Sequence, residues 1–336
     1  MTDGVTFVVP VHNGAACLAE TLISIAAQAD GRPIEVIVVD DGSDDGSGEL
    51  VQTLADRYRL TVVRGPGRGA AAAINSGMRF ASHPIVCQVD QDVVLERGWL
   101  TNLLPAFDDP SVAAVQGCYT NDRNASFCSR VMAVDLEQRY AAMSGDPDHV
   151  CTGNTAYRVA ALQAIGMLDE SIGYGYDNDL SYRLTAAGYR LVFRKDARSR
   201  HRWRDGLRGY LLQQYGFGYG RLDLVARHPR RWTGDTVSPA MMMAHPLAMA
   251  LSVILFGLGM ASAAVLVLLV LAFERTVAGV AAWRRFGDPA SLAFPVMHLA
   301  RDAAWLAAIA VWTVRRMCAH PFEPAHSMSG RKAATR

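Results

Sequence analysis

Apolar, β-branched runs alternate with amphipathic segments through the first third of the chain. The runs predict strands at residues 6–10, 34–39, 60–63 and 85–89, and those at 34–39 and 85–89 are typical of buried parallel strands. The segments between them have helical periodicity, at residues 18–28, 46–58, 70–81 and 98–107. This alternation predicts an α/β fold in which helices flank a mostly parallel sheet.

The pattern is less regular beyond residue 110. It predicts a strand at residues 112–116, a helix at 133–143 and a further strand at 191–194. These elements complete a predicted α/β domain over residues 1–205.

The composition changes after residue 235. No Asp, Glu, Lys or Arg occurs from residue 236 to 273, and a second apolar stretch covers residues 291–314. A membrane span needs roughly 20 apolar residues, so we predict a transmembrane region over residues 236–317. It would have two or three segments, at about 239–257, 258–273 and 291–314, with a hairpin turn near Gly257–Leu258–Gly259. The Arg301–Asp302 pair interrupts the last stretch, so it must face other segments or lie in a re-entrant segment.

Residues 206–235 combine arginines with tyrosine and phenylalanine just before the apolar region. Such a mixture is typical of an amphipathic helix at the membrane interface, although an ordinary surface helix is the alternative. Residues 318–336 form a polar tail.

Charge and cysteine content limit the function further. The net charge of +1 gives no argument for a nucleic-acid partner, which usually needs a strongly basic domain. The six cysteines are scattered without a Cys-x-x-Cys pair, which argues against a zinc site and a disulfide framework and favours a reducing compartment. The chain has no signal-peptide pattern at its start, so we expect a cytoplasmic catalytic domain on a multi-pass protein of the cytoplasmic membrane.

Three acidic clusters stand out in the first 180 residues: Asp40–Asp41, Asp90–Gln91–Asp92 and Asp177–Asn178–Asp179. The first two follow predicted strands, at the edge where open α/β sheets bind ligands. Two acids at a strand end can hold a divalent cation that carries a diphosphate, and a further acid can act as a base. Helix capping and turn formation are the alternative for any single cluster.

Together these motifs resemble family 2 glycosyltransferases of the GT-A fold. The resemblance rests on the opening Phe-Val-Val-Pro-Val-His-Asn-Gly, the Val-Val-Asp-Asp-Gly-Ser run, the Asp-x-Asp and the late Asp-x-Asp-Leu. The segments at 68–77, 152–158 and 166–170 add to it, and it covers roughly residues 5–200. It implies a nucleotide-sugar donor and Mg²⁺ or Mn²⁺ as cofactor.

The resemblance also implies roles for individual residues. The donor's base, ribose and phosphates would be bound by Pro10, Val11, Asn13, Asp40, Asp41, Arg68 and Asp90. Asp92 would be the direct metal ligand, with Asp90 and His201 as further candidates. Asp177 would be the catalytic base, although Tyr176 stands where the family usually has Glu. Gly153, Asn154 and Asp179 would lie on the acceptor side, with a capping role as the alternative for Asp179.

The resulting hypothesis is an inverting, metal-dependent glycosyltransferase with a lipid-linked or glycan acceptor and membrane lipids as partners. A polyprenyl-phosphate sugar transferase is the second hypothesis, and its anionic acceptor would need no base. An inactive membrane scaffold is the third, against which the retained acids argue. A nucleotide hydrolase is disfavoured because the chain has no Gly-rich phosphate loop with its Lys.

Overall fold

The computed structural model describes residues 4–143 and 145–318, which form two compact units. Among these residues, the first unit covers 4–119 and 145–201, and the second covers 120–143 and 202–318. The polar tail predicted beyond residue 318 lies outside the described residues.

The first unit is built on an eight-stranded mixed sheet with the strand order β3-β2-β1-β4-β7-β6-β8-β5. Its strands are β1 (Val5–Val11), β2 (Ile34–Asp40), β3 (Leu60–Arg64), β4 (Ile85–Val89), β5 (Val93–Leu95), β6 (Val112–Thr120), β7 (Asn154–Arg158) and β8 (Arg190–His201). Its helices are α1 (Leu18–Ala26), α2 (Ser47–Tyr58), α3 (Ala70–Arg79), α4 (Trp99–Leu103), α6 (Val159–Ala164) and α7 (Tyr176–Ala186). Helix α5 (Phe127–Ala142) belongs to the second unit.

The parallel half of the sheet consists of β3, β2, β1 and β4, and it confirms the predicted α/β fold. Every residue of β4 is buried, and of β1 only Pro10 is partly exposed, whereas no residue of the outer strand β3 is fully buried. Val11 pairs with Asp40 in the register of β1 and β2, so the ends of these strands lie side by side. Helix α3 packs closely on them, because a side chain at Gly77 would overlap Val8.

The other half contains antiparallel pairs, and here the predictions fit less well. Strand β7 pairs antiparallel with β4 and β6 although its sequence, Asn-Thr-Ala-Tyr-Arg, has no apolar run. The predicted helix at 98–107 is helical only to Leu103 and continues as a 3-10 turn that contains Pro105. The predicted helix at 133–143 begins earlier, at Phe127, where Ser126 caps it by accepting a hydrogen bond from the Ser129 amide.

The second unit contains α5 and four further helices: α8 (Gly206–Arg227), α9 (Ala240–Gly257), α10 (Ala261–Phe286) and α11 (Phe294–Met317). Among the described residues, three helical segments are long and apolar enough to cross a membrane, at Ala240–Gly257, Ala261–Phe286 and Pro289–Met317. The chain turns between Gly257 and Ala261, where the hairpin was predicted. Leu247, Phe256, Leu266 and Phe273 are among the large apolar side chains exposed on α9 and α10, as on a lipid-facing surface.

The Arg301–Asp302 pair faces the other helices of this unit. Arg301 is 4% exposed and Asp302 is 1% exposed. The Asp302 carboxylate lies 3.0 Å from Arg301 Nε and 3.0 Å from His245 Nδ1 on α9, and His245 Nε2 lies 3.3 Å from Glu274 on α10. The pair therefore follows the first of the two alternatives, since buried charges in an apolar unit need partners.

Candidate functional site

Two strands bring the predicted metal ligands together. Asp90 and Asp92 follow β4, and His201 ends β8, where it pairs with Val93 in the antiparallel β5–β8 ladder. Ligand atoms of Asp90, Asp92 and His201 all lie within 4.8 Å of one another. His201 Nε2 is 3.5 Å from Asp92 Oδ1. The chain positions of the two segments are about a hundred residues apart, and the strand register makes them neighbours.

Asp90 is held from two sides. Gln88 Nε2 donates a hydrogen bond to Asp90 Oδ1 at 2.9 Å, and the Asp90 amide donates to the Gly153 carbonyl at 3.2 Å. A side chain at position 153 would overlap the Asp90 carboxylate and approach the Tyr119 hydroxyl. Gly153 was predicted on the acceptor side, and the structure brings it against this metal-ligand candidate.

The electrostatics of this group suit a cation. Burial raises the pKa of the Asp90 carboxyl, and the neighbouring Asp92 raises it further, to about 6. Burial is the largest cause of this shift, and the His201 charge acts in the opposite direction. A cation bound nearby would favour the charged form of the Asp90 carboxyl. Carboxylates such as those of Asp90 and Asp92 are ligands that Mg²⁺ or Mn²⁺ accepts. The residues therefore fit the predicted ion.

Asp177 lies in the first turn of α7, close to the same group. Its charge contributes to the raised pKa of Asp90. Its carboxylate is partly open, with 23% of the side chain exposed, and Oδ2 lies 3.8 Å from His149 Nε2. Burial, together with the charges of Asp90 and Asp177, raises the pKa of the adjacent Tyr176 well above its ordinary value, so this phenol stays protonated. Tyr176 therefore adds no charge where the family usually has a Glu.

The two other acceptor-side candidates make structural contacts. Asp179 Oδ2 accepts a hydrogen bond from Arg183 Nε at 2.7 Å, one helical turn along α7. Arg183 also donates to the carbonyls of Ile165 and Met167. Asn154 is buried, and its Oδ1 accepts from Trp99 Nε1 at 2.6 Å. The Asp179–Arg183 contact is an ion pair between successive turns of α7, and the start of this helix at Gly175 has no side-chain capping hydrogen bond. The capping alternative for Asp179 therefore stays a prediction.

Asp40 and Asp41 organise the loops on the donor side. Asp41 accepts hydrogen bonds from the amides of Gly67 and Gly69, at 2.7 and 2.8 Å. These two contacts fix the loop that carries Arg68, whose guanidinium is exposed and lies 2.7 Å from Glu170. Asp40 Oδ1 accepts from the amide and the hydroxyl of Ser43.

The turn after β1 lies next to these loops. Asn13 has a left-handed backbone, with a φ of 56°, and its Oδ1 accepts a hydrogen bond from the Asp44 amide at 2.9 Å. Its own amide donates to Ser43 Oγ at 3.1 Å. Pro10 and Val11, the other candidates from this segment, are the last two residues of β1, and Val11 is buried. The predicted donor-binding residues therefore cluster at one edge of the sheet.

Gln91 and His149 are two residues of this site that the sequence did not identify. The Gln91 side chain accepts from the His12 amide at 2.9 Å and donates to the His12 carbonyl at 3.1 Å. It thereby ties the turn after β1 to the Asp90–Asp92 segment. Its position inside the Asp-x-Asp was the available signal. The sequence gave no signal for His149, because this residue is close to Asp177 in space but far from it along the chain.

Residues 6–166 match the family described as Glycosyl transferase family 2. The chain carries a family 2 glycosyltransferase domain. This confirms the resemblance predicted from the motifs. Over 250 residues the chain is 32% identical to the pre-mycofactocin glycosyltransferase of Mycobacterium tuberculosis, a match that covers 71% of this chain and 51% of that protein.

A poly-beta-1,6-N-acetyl-D-glucosamine synthase of Staphylococcus aureus is 23% identical over 199 residues, covering 57% of this chain and 48% of that protein. The chain thus spans about half the length of these curated relatives. Among solved structures, a mannosyltransferase from Pyrobaculum calidifontis in complex with GDP-Man and Mn²⁺ has a TM-score of 0.62 at 24% identity. That match covers 92% of this chain and 86% of the other, and it shows that the two share the GT-A fold.

Proposed function

We propose that this glycosyltransferase-domain protein is an inverting, metal-dependent enzyme that transfers a sugar from a nucleotide-sugar to a hydroxyl of a lipid-linked or glycan acceptor. The observation that carries the proposal is the convergence of Asp90, Asp92 and His201, with Asp177 beside them. A cation in the first group would stabilise the charge of the leaving diphosphate, and the partly exposed carboxylate of Asp177 could accept the proton of the attacking hydroxyl.

The relatives support the donor class and the ion. The Pyrobaculum calidifontis mannosyltransferase binds GDP-Man and Mn²⁺, and a structure of GalNAc-T7 contains UDP, GalNAc and Mn²⁺. The Mycobacterium tuberculosis and Staphylococcus aureus relatives are named as enzymes that transfer or polymerise sugars. We take a nucleotide diphosphate-sugar as the donor of this chain as well.

In the proposed reaction Asp90, Asp92 and His201 would hold Mg²⁺ or Mn²⁺, which would supply Lewis-acid stabilisation of the diphosphate leaving group. Gln88 and Gly153 keep the Asp90 carboxylate in place for this purpose. Gln91 keeps the turn after β1 aligned with the ion-binding acids.

Asp177 accepts the proton of the acceptor hydroxyl as that oxygen attacks the anomeric carbon from the face opposite the diphosphate, which inverts the configuration. Tyr176 remains neutral beside Asp177. One carboxylate is therefore available for proton transfer.

The three apolar helices of the second unit support a membrane location. We infer a multi-pass protein of the cytoplasmic membrane whose first unit lies in the cytoplasm, and an acceptor presented at the membrane surface. Lipid attachment of the acceptor would explain why a sugar transferase carries helices of this length and composition.

The test is donor binding and transfer by the detergent-purified protein. A panel of UDP-, GDP- and TDP-sugars is screened for thermal stabilisation with and without Mn²⁺, since a ligand that binds the folded state raises the melting temperature. We expect stabilisation by one nucleotide class, dependent on Mn²⁺ and lost in Asp92→Asn. The matched control is Asp56→Asn, an exposed acid on α2, which should behave as wild type. Undiminished transfer in EDTA would overturn the metal role.

A further inference from the structure

A second group of metal-ligating side chains lies beside Asp177. Ligand atoms of His149, Cys151 and Asp177 all lie within 4.8 Å of one another. His149 is 5% exposed, and Cys151 is a half-buried thiol outside any disulfide. Of these three residues, only Asp177 also takes part in the proposed transfer reaction. This group is separate from Asp90, Asp92 and His201 and has a different set of donor atoms.

The two segments that carry these side chains are fixed to each other. The Val150 amide donates to Ser181 Oγ at 3.1 Å, and that hydroxyl donates to the Asp177 carbonyl at 2.7 Å. The Cys151 amide donates to Gln116 Oε1 at 2.8 Å. Val150, between the two donor residues, is fully buried. The ligand positions are therefore preorganised by the fold, so a metal would not have to order a loose loop.

The spacing suits one small tetrahedral ion. His149 Nε2 and Asp177 Oδ2 are 3.8 Å apart, too far for a hydrogen bond. Zinc bonds to nitrogen and oxygen of about 2.0 to 2.2 Å place two such ligands roughly 3.3 to 3.6 Å apart in a tetrahedral site, so a small side-chain movement would bring this pair to that separation. Three ligands from the protein leave the fourth position of such an ion open.

The donor atoms select the kind of ion. A thiolate and an imidazole favour Zn²⁺ and similar soft divalent ions, whereas carboxylate-rich groups favour Mg²⁺ and Mn²⁺. The scattered cysteines argued against a zinc site because zinc motifs usually contain Cys pairs close in sequence. In this group each of three residues gives one ligand atom. The hydrogen bonds that anchor residues 149–151 on α7 bring these atoms together.

We propose that His149, Cys151 and Asp177 form an inhibitory Zn²⁺ site. When Zn²⁺ binds, the Cys151 thiol releases its proton to solvent and the Asp177 carboxylate becomes a ligand. A carboxylate held by Zn²⁺ no longer accepts a proton from the acceptor. The binding site rests on geometry alone, while the inhibition rests on the proposed role of Asp177 as the base.

Binding is tested with Co²⁺ as a spectroscopic substitute for Zn²⁺. The wild-type protein should develop a thiolate-to-cobalt charge-transfer band that added Zn²⁺ removes. Cys151→Ser should lack the band. Cys118→Ser, which changes another half-buried thiol of the same unit, should keep it. A band that persists in Cys151→Ser, or no band in the wild type, overturns the site whether or not the protein transfers sugar.

Inhibition is tested by titrating Zn²⁺ into a transfer assay at saturating Mn²⁺. Wild type and Cys118→Ser should lose activity at the same low Zn²⁺ concentration. Cys151→Ser should keep its basal activity and need at least about tenfold more Zn²⁺, since even an outer-shell change weakens metal sites by 10- to 100-fold. Equal inhibition of wild type and Cys151→Ser would overturn the inhibitory role. A cobalt band without any inhibition would support the site and instead contradict the assignment of Asp177 as the base.

Discussion

The Gly153 carbonyl accepts a hydrogen bond from the Asp90 amide, and the α-carbon of Gly153 lies where any side chain would overlap the Asp90 carboxylate. Gly153 precedes β7, whose residue Asn154 pairs with Val89 at the end of β4. The close approach of these two backbones is therefore a property of the antiparallel pairing. It fixes where the Asp90 carboxylate, one of the proposed metal ligands, can lie.

Gly153→Ala should weaken ion binding for this reason. The added methyl group would push Asp90 away from Asp92 and His201, and we expect the Mn²⁺ affinity to fall at least about tenfold, as for the loss of a supporting contact in other metal sites. Calorimetric titration of Mn²⁺ measures it. Gly257→Ala is the control, because a methyl group there would meet no atom within 4 Å. Wild-type Mn²⁺ affinity in Gly153→Ala would contradict the supporting role of this glycine.

Asp177→Asn and Asp179→Asn should separate catalysis from folding. Asp177→Asn removes the proposed base, so transfer should fall by a factor on the order of 10² to 10⁴ while donor binding is nearly unchanged. Asp179→Asn removes the partner of Arg183 and should mainly lower the melting temperature. Transfer rates, donor affinity and thermal unfolding are measured on both variants. An inactive Asp179→Asn beside an active Asp177→Asn would reverse the assignment.

Activity that is largely insensitive to Asp177→Asn would point instead to a polyprenyl-phosphate acceptor. The attacking oxygen of such a phosphate is already anionic and needs no base. The same pair of variants therefore distinguishes the two classes of acceptor.

The sequence identified the parts of the site that follow regular strands. Asp40, Asp90 and Asp92 were found because apolar runs mark the strands before them, and the ends of parallel strands share one edge of the sheet. The antiparallel half was harder to predict. Strand β7 is polar in sequence, and burial between β4 and β6 determines its conformation instead of its own pattern.

Most contacts between segments that are distant along the chain could not be predicted from the sequence. Sequence reasoning offered His201 only as a candidate metal ligand. The β5–β8 register brings it beside Asp92, and its metal role stays a prediction. His149 lies in no recognisable motif. Its proximity to Asp177 depends on how residues 149–151 are anchored on α7. Such relations are set by tertiary packing, which a single sequence does not encode in any local pattern.

Asp288 should make the stability of the second unit depend on pH. Burial raises the pKa of this carboxyl, but hydrogen bonds from Arg130, the Ala290 amide and Asn121 outweigh it and lower the pKa to about 2. An ordinary Asp has a pKa of 3.8, so the charged form stabilises the folded state at neutral pH. The contribution is on the order of 2 kcal/mol, since one pKa unit corresponds to about 1.4 kcal/mol. It should be lost as the pH falls from about 5 to about 2.

Asp288→Asn tests this directly. At pH 7 the variant should melt below the wild type, and the difference in melting temperature should close as the pH is lowered through that window. Other carboxylates titrate in both proteins and cancel from the difference. Asp56→Asn should track the wild type throughout. A difference that stays constant from pH 7 to pH 3 would contradict the role of the Asp288 charge.

We predict that α9 and α10 of the second unit cross the membrane as a hairpin. At 1.5 Å per residue, α9 is about 27 Å long and α10 about 39 Å, and a hydrocarbon core is about 30 Å thick. Helix α10 is thus long enough to cross, whereas α9, with 18 residues, is close to the lower limit of about 17 residues for a span. The turn between Gly257 and Ala261 would lie on the outer side. This hairpin returns Arg284 and Arg285 to the same side as Arg230, as the positive-inside bias requires.

Helix α11 would then make a third crossing and carry Arg315 and Arg316 to the outer side, against that bias. A two-span arrangement keeps those two arginines inside but exports Arg284 and Arg285. Labelling of intact cells with a membrane-impermeant thiol reagent decides between the two. Leu258→Cys should label in intact cells, whereas Phe286→Cys should label only after permeabilisation.

The exposed Cys318, which follows α11, is a native reporter of the third crossing and should label in intact cells if that crossing exists. It is replaced by Ser in the variants that report on positions 258 and 286. Labelling at 286 but not at 258 would overturn the hairpin. Protection of Cys318 beside a labelled position 258 would keep the hairpin and exclude the third crossing, so that α11 would return to the inner side as a re-entrant or interfacial helix.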